Sequence, residues 1–143
     1  TGDTFGLSYR ELDGPNGPFI LPTTSPVQFE PEALKASIAL LLSYRPQAMY
    51  LTHYDRVVEV ERLAADLVEQ IDAMVAIAGE ADAAAADADD RHARLRAALA
   101  ALYLRRARAH RVPLDDAGVL RVIGMDIELN AQGLACWLDR ERR

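Results

Sequence analysis

The chain has 143 residues, of which 50% are apolar and 27% are charged, a composition typical of one soluble domain with its own core. It contains no apolar run long enough to span a membrane and no basic-then-apolar signal segment, so we expect a cytoplasmic protein without a membrane partner. The single cysteine, Cys136, excludes an internal disulfide framework and a cysteine-based zinc finger, and we expect it to lie in the core.

The net charge of −6 is unevenly distributed along the chain. Residues 1–90 carry 16 acidic and 5 basic side chains, whereas residues 91–143 carry 6 acidic and 11 basic ones. An acidic first part disfavours a nucleic-acid surface, and we expect no nucleic-acid partner. The basic second part has two interpretations: it contacts an acidic partner, or it contacts the acidic part of its own chain.

The first thirty residues are rich in turn signals and short apolar runs. Residues 5–9 and 19–21 predict two strands, joined across the turn-forming segment 13–18 as a hairpin with a long turn. The hydroxyl-bearing segment 23–26 then predicts a loop before the first helix.

Two helices flank a buried strand in the middle of the chain. Pro31 is typical of a first helical turn, and Pro46 ends the first helix. Residues 48–52 predict a buried strand. A second helix follows, with Asp55 as its cap and Gly79 as its end.

The last third of the chain has helical periodicity throughout. Residues 80–90 contain only Ala, Asp and Glu. This composition favours a loose connector, although the alanine content also permits a helical extension. A third helix is predicted over 91–111. Asp115 is expected to cap a short helix that Gly124 ends, and a final helix is predicted over 126–140.

Two residues at predicted strand ends are candidates for chemistry. Asp3 lies beside glycine and threonine residues at the start of a strand, and His53 follows the buried strand. Carboxylate and imidazole groups are good zinc ligands, and loops at strand ends commonly carry reactive groups. The spacing alone favours a simple turn at Asp3 and a hydrogen-bonded structural role for His53 over metal ligation.

Longer strings around these residues resemble a known family. Thr1–Asp3 and Tyr50–Tyr54 resemble the last two metal-ligand motifs of the metallo-β-lactamase superfamily. Residues 6–11 and 19–29 are similar to a bacterial branch of metallo-hydrolases with this fold, and residues 125–134 resemble the C-terminal helical segment of that branch.

The resemblance implies an α/β fold, namely the C-terminal half of a metallo-β-lactamase-like αββα sandwich over residues 1–79. The connector 80–90 and a mostly helical C-terminal region, 91–143, would follow it. In such proteins Asp3 would bridge two divalent metal ions and His53 would ligate one of them, with zinc the first choice and iron or manganese the alternatives. The site would activate water for hydrolysis of a small-molecule substrate.

The first motif of the family, His-x-His-x-Asp-His, is absent from these residues. The other histidines, His92 and His110, lie in the arginine-rich helix, where we expect surface positions. We therefore expect a full-length parent that is a metal-dependent hydrolase. This chain, as its C-terminal half, would be inactive alone and without bound metal. Exposed faces of a half-domain predict a homodimer or a larger assembly.

Hydroxyl groups near these ligands predict a substrate pocket. Thr4, Thr23, Thr24 and Tyr54 are its candidates, although a hydroxyl-rich loop before a helix is the simpler interpretation of the two adjacent threonines. An alternative function also stays open. The helical residues 80–143 would then form an interaction or oligomerisation module on a metal-free half-fold. The sequence does not identify the substrate.

Overall fold

A computed structural model describes residues 1–24 and 28–142 of the chain. Ser25 and Pro26 of the predicted hydroxyl-rich loop, and Val27 after them, lie outside the described residues. The described part contains four α-helices, one turn of 3-10 helix and one antiparallel two-stranded sheet. Their bounds are Arg10–Leu12 for the 3-10 turn, Pro31–Ser43 (α1), Met49–Tyr50 (β1), Arg56–Val57 (β2), Val60–Ala84 (α2), Ala88–His110 (α3) and Asp116–Glu141 (α4).

The predicted α/β sandwich is wrong, because the structure is a helical fold. The two predicted N-terminal strands form only one isolated antiparallel bridge, between Leu7 and Leu21, and β1 pairs with β2 over two residues. Sheets this short bury little surface on their own. The apolar side chains of these segments instead pack on the long helices. The strand prediction failed because a short apolar run does not by itself distinguish a strand from another kind of buried segment.

The core lies between α2, α3 and α4. Short connections, residues 85–87 and 111–115, join successive helices, and such connections favour antiparallel neighbours. Each helix buries one apolar stripe, as the sequence periodicity predicts. The fully buried large side chains of these stripes include Leu63, Leu67, Ile71, Met74, Leu95, Leu99, Tyr103, Ile123 and Leu134. Within the described ranges, no helix has both the length and the apolarity needed to cross a membrane.

The N-terminal segment 1–24 lies across this helical core. Phe5, Leu12 and Leu21 are fully buried there. Gly6 adopts a positive φ of 68°, and a Cβ atom at this position would lie 2.4 Å from the carbonyl oxygen of Leu21. The segment therefore packs too closely at Gly6 to accept a side chain.

The start and end of the second helix differ from the prediction. α2 begins at Val60, after Glu59 in a left-handed conformation, so Asp55 does not cap it. Its C-terminal part continues through Gly79, because alanines on both sides favour the helix more than one glycine disfavours it.

Most of residues 80–90 is helical and does not form a loose connector. α2 extends to Ala84 and α3 begins at Ala88. Asp87 is the N-cap of α3, because its Oδ1 accepts a hydrogen bond of 2.8 Å from the backbone N–H of Asp90. The helical extension that the alanine content permitted is thus the correct interpretation.

α4 is one continuous helix, where the sequence predicted two. Asp115 caps it as predicted, accepting a hydrogen bond of 2.7 Å from the N–H of Gly118. Gly124 does not end a helix, since apolar residues on both sides of it continue the same buried stripe. The prediction of a break at this glycine was wrong because a buried stripe outweighs the cost of about 1 kcal/mol for one glycine.

The basic second part of the chain contacts the acidic first part. Arg106 lies 3.2 Å from Asp66 and 2.9 Å from Glu69, and the nearly buried Arg91 lies 3.2 Å from Asp82. Single half-exposed pairs contribute little to stability. These pairs nevertheless support the second interpretation of the uneven charge: the basic second part of the chain contacts the acidic first part of the same chain.

Two glycines of α4 provide a matched test of the packing. At Gly133 a Cβ atom would lie 2.6 Å from the Cβ of Thr24 and 2.7 Å from its carbonyl oxygen, whereas at Gly124 nothing lies within 4 Å. We expect Gly133→Ala to lower the free energy of unfolding by about 1–3 kcal/mol. Gly124→Ala should raise it by about 0.5–1 kcal/mol. Urea denaturation of both variants measures the difference, and equal effects would contradict the close approach at Gly133.

Candidate functional site

The structure brings Asp3 and His53 together. Asp3 lies in the turn at residues 2–5, where its carbonyl oxygen accepts a hydrogen bond from the N–H of Gly6. His53 follows β1, and its carbonyl oxygen accepts a hydrogen bond from the N–H of Ser8. The two loops thereby place Asp3 Oδ1 at 3.5 Å from His53 Nε2, with both side chains about half exposed.

This separation is long for a hydrogen bond between charged partners, which is about 2.7–2.9 Å. Another histidine–carboxylate pair of the chain, His92 and Glu128, does have a nitrogen–oxygen distance of 3.0 Å. Two ligand atoms at about 2.0–2.2 Å from one tetrahedral zinc ion are roughly 3.4 Å apart. The Asp3–His53 geometry therefore fits two donors of a single metal site.

The donor set is incomplete within residues 1–24 and 28–142. No group of three or more His, Cys, Asp and Glu side chains there is arranged to hold a metal ion. A catalytic zinc site ordinarily has three protein ligands. Asp3 and His53 alone would therefore bind a divalent ion weakly.

A cleft of about 430 Å³ lies beside Asp3. Thr4 and Thr23, two of the predicted pocket residues, line it together with Asp3. Residues of the N-terminal half of α1 also line the cleft, and Phe29 and Leu34 supply apolar surface. The cleft therefore combines a carboxylate, hydroxyl groups and apolar side chains around one open space.

Thr24 does not line this cleft. It is only 2% exposed, and its backbone N–H donates a hydrogen bond of 2.9 Å to Asn130 Oδ1. Its hydroxyl oxygen lies 3.2 Å from the carbonyl oxygen of Asn130, to which it donates. Thr24 thus attaches the N-terminal segment to α4, which is a structural role.

Tyr54 also lies away from the cleft. Its hydroxyl donates a hydrogen bond of 2.6 Å to Asp13 Oδ2, and the guanidinium of Arg10 lies 4.9 Å from the centre of its ring. Burial and the hydrogen bond to Asp13 raise the pKa of Tyr54 to about 12. The phenol therefore stays protonated and keeps the loop after β1 attached to the N-terminal segment.

A buried carboxylate near His53 was missed by the sequence analysis. Asp126 of α4 is buried, and its Oδ2 accepts a hydrogen bond of 2.9 Å from the hydroxyl of Tyr9. Burial raises the pKa of Asp126, while the hydrogen bond from Tyr9 and the charge of His53 oppose that rise. The pKa of Tyr9 is raised to about 12, chiefly by burial.

The periodicity of α4 contains a signal for this buried group. Asp126 and Asn130 are four residues apart and share the helical stripe of Ile123, Ile127 and Leu134. Polar residues on an apolar stripe are buried with it and require hydrogen-bond partners. This pattern could have identified both as structural or functional residues.

The two other histidines are half-buried and not surface residues as predicted. His92 pairs with Glu128 of α4. His110 donates from Nε2 to the carbonyl oxygen of Gly17 at 2.9 Å, and its ring lies 5.5 Å from that of Phe19. Both therefore fasten other segments to α3. Cys136 is half-buried, less enclosed than the core position expected for it.

The chain matches no protein-family model, no curated protein and no solved structure.

The burial of Asp126 predicts a pH-dependent stability. The pKa of Asp126 is higher in the folded chain than in the unfolded chain. The resulting contribution to the free energy of unfolding is therefore complete below the pKa of the unfolded chain, about 3.9, where the carboxyl group is protonated. That contribution is lost as the pH rises through the folded value. Asparagine at this position still accepts the Tyr9 hydrogen bond but carries no charge. We expect Asp126→Asn to be more stable than the natural chain at pH 7, with the advantage shrinking near pH 3.

Chemical denaturation at both pH values measures this difference. Asp13→Asn is a suitable control, because Asp13 also accepts a tyrosine hydrogen bond and is only partly buried. An advantage of Asp126→Asn that is the same at pH 3 and pH 7 would show that ionisation of Asp126 does not limit stability.

Proposed function

We propose that this chain is part of a metal-dependent hydrolase in which Asp3 and His53 are two ligands of a divalent ion. The observation that carries the proposal is the 3.5 Å separation between Asp3 Oδ1 and His53 Nε2. It fits two ligands of one ion better than a direct hydrogen bond. The half-exposed position of both side chains leaves room for further ligands and for substrate.

The residues around the pair support hydrolytic chemistry. A bound divalent ion supplies a water of lowered pKa and a Lewis acid for a carbonyl or phosphoryl oxygen. Asp3 contributes a negative charge that offsets the charge of the ion, and His53 contributes a neutral nitrogen donor. Thr4 and Thr23 offer hydroxyl groups in the adjoining cleft, where Phe29 provides apolar surface. Zinc suits these donors, and iron or manganese are alternatives.

Two ligands do not make a catalytic site. We propose that the remaining ligands come from a part of the parent protein outside residues 1–143 or from a partner chain. Residues 1–143 alone would then be inactive and bind metal weakly. The substrate would be a small molecule whose identity the residues do not specify.

Metal titration tests the proposal directly. We expect the chain to bind Zn²⁺ weakly in isothermal titration calorimetry. Both Asp3→Asn and His53→Gln should lower that affinity by about tenfold or more, since each removes one of two donors. Neither change should alter the free energy of unfolding by more than about 0.5 kcal/mol, because both side chains are half exposed.

His92→Gln is the matched control, because His92 pairs with a carboxylate at hydrogen-bond distance, away from the Asp3 cleft. It should leave the Zn²⁺ affinity unchanged. Zn²⁺ binding that survives both Asp3→Asn and His53→Gln, or that His92→Gln abolishes, would place the ion elsewhere and refute the proposal.

A second candidate function is that of a non-catalytic chain that associates with a second copy of itself, through residues 40–50 rather than through the helical residues 80–143 that the sequence suggested. Three large apolar side chains between residues 40 and 50 favour it, because they are strongly exposed at the end of α1 and on β1: Leu40, Tyr44 and Tyr50. Exposed apolar groups of this kind are typical of association surfaces. The partner we propose is an identical chain.

Light scattering tests this alternative. We expect a dimer whose monomer fraction increases in Tyr44→Ser, since Tyr44 is 76% exposed. Met125→Ser is a matched control: Met125 is equally exposed, at 76%, but lies on α4. A monodisperse monomer of the natural chain over the full concentration range would exclude the module.

A further inference from the structure

A second, larger cavity lies apart from the Asp3 cleft. It has a volume of about 890 Å³ and opens between the turn at residues 15–20, α2 and the C-terminal end of α3. This volume is within the range of about 300–1,000 Å³ that is typical of small-molecule sites. Phe19, Ile20 and Ala109 provide apolar surface, whereas most of the other lining side chains are charged or amides.

Two arginines in this cavity share one carboxylate. Arg62 Nη1 lies 3.0 Å from Asp66 Oδ2, and Arg106 Nη2 lies 3.2 Å from Asp66 Oδ1. Each arginine also contacts a second carboxylate, Glu59 for Arg62 and Glu69 for Arg106, at 3.0 and 2.9 Å. Five ionised groups of both signs therefore converge on the cavity wall.

The same wall contains polar atoms without partners. Gln70 is 1% exposed, and its amide nitrogen donates to the carbonyl oxygens of Ile20 and Asp66 at 3.0 and 2.9 Å. Its Oε1 has no hydrogen-bond partner, and neither has Nε of Arg62. Buried polar atoms are ordinarily paired, so an unused acceptor and an unused donor on two residues that line one cavity are unusual.

The balance of charges restricts the ligand. Three carboxylates and two guanidinium groups disfavour a compact anion such as phosphate, and the two arginines disfavour a simple amine. A molecule with one charge of each sign meets both sets at once. Its anionic group would approach Arg62 and Arg106, and its cationic group would approach Glu69, which lies at the Arg106 end of this chain of ion pairs.

We propose that this cavity binds a small zwitterion of the α-amino acid class with an uncharged side chain. The carboxylate of the ligand lies beside the two guanidinium groups and its ammonium group beside Glu69. The uncharged side chain packs on Phe19 and Ile20. This site is independent of the Asp3–His53 pair, because the two cavities share no lining residue.

Titration of the ¹⁵N-labelled chain with L-leucine tests the site. The readouts are the side-chain amide signals of Gln70 and the backbone amide of Gly17, which lines the same cavity. We expect both to shift and to saturate. Isopentylamine and 4-methylpentanoate each carry one of the two charges of leucine on the same aliphatic group, and each should bind at least about tenfold more weakly.

A pair of variants on α2 locates the ammonium site. The side chain of Glu69 is 71% exposed, so that Glu69→Gln should preserve the fold while weakening L-leucine binding about fivefold or more. Glu61→Gln, an exposed position of the same helix outside the cavity, should leave binding unchanged.

Three results would overturn the proposal. The first is the absence of any shift with L-leucine. The second is equal binding of leucine and either singly charged analogue. The third is a set of shifts confined to Thr4 and Thr23, which line the other cleft.

Discussion

The side chain of Asn130 attaches residues 22–24 of the N-terminal segment to the helical core. Its Oδ1 accepts from the N–H of Thr24, while its amide nitrogen donates to Pro22 at 3.1 Å and to the hydroxyl of Tyr103 at 2.9 Å. All these groups are buried, so each hydrogen bond that is lost leaves a desolvated polar atom. Gly133, one turn further along α4, provides the space in which Thr24 approaches the helix.

This attachment determines where the candidate site lies. With residues 22–24 held on α4, the preceding strand-like segment is held by the bridge between Leu7 and Leu21. Asp3 then meets the loop after β1, and Tyr9 reaches Asp126. The Asp3–His53 pair is therefore assembled by hydrogen bonds between segments remote in sequence.

The sequence predicted local features well and long-range ones poorly. The start of α1 at Pro31, the cap at Asp115 and the apolar stripes of the helices follow from neighbouring residues and were correct. The sheet architecture was wrong, because strand pairing depends on partners distant along the chain. Asp3 and His53 were identified by residue type and by resemblance, and their proximity needed the fold. Asp126 and Gln70 were missed because their burial depends on which helix face meets another segment.

The segregation of charge along the chain has a further consequence for its integrity. A protease that cut the exposed turn between α2 and α3 would leave two pieces with net charges of opposite sign. The pieces share one apolar core and several ion pairs, among them Arg106 with Asp66 and Arg142 with Asp82. Long-range attraction would bring such pieces together quickly at low ionic strength, and screening would slow the encounter. The nicked protein would thus behave as a self-complementing pair of fragments, held together without the peptide bond that once joined them.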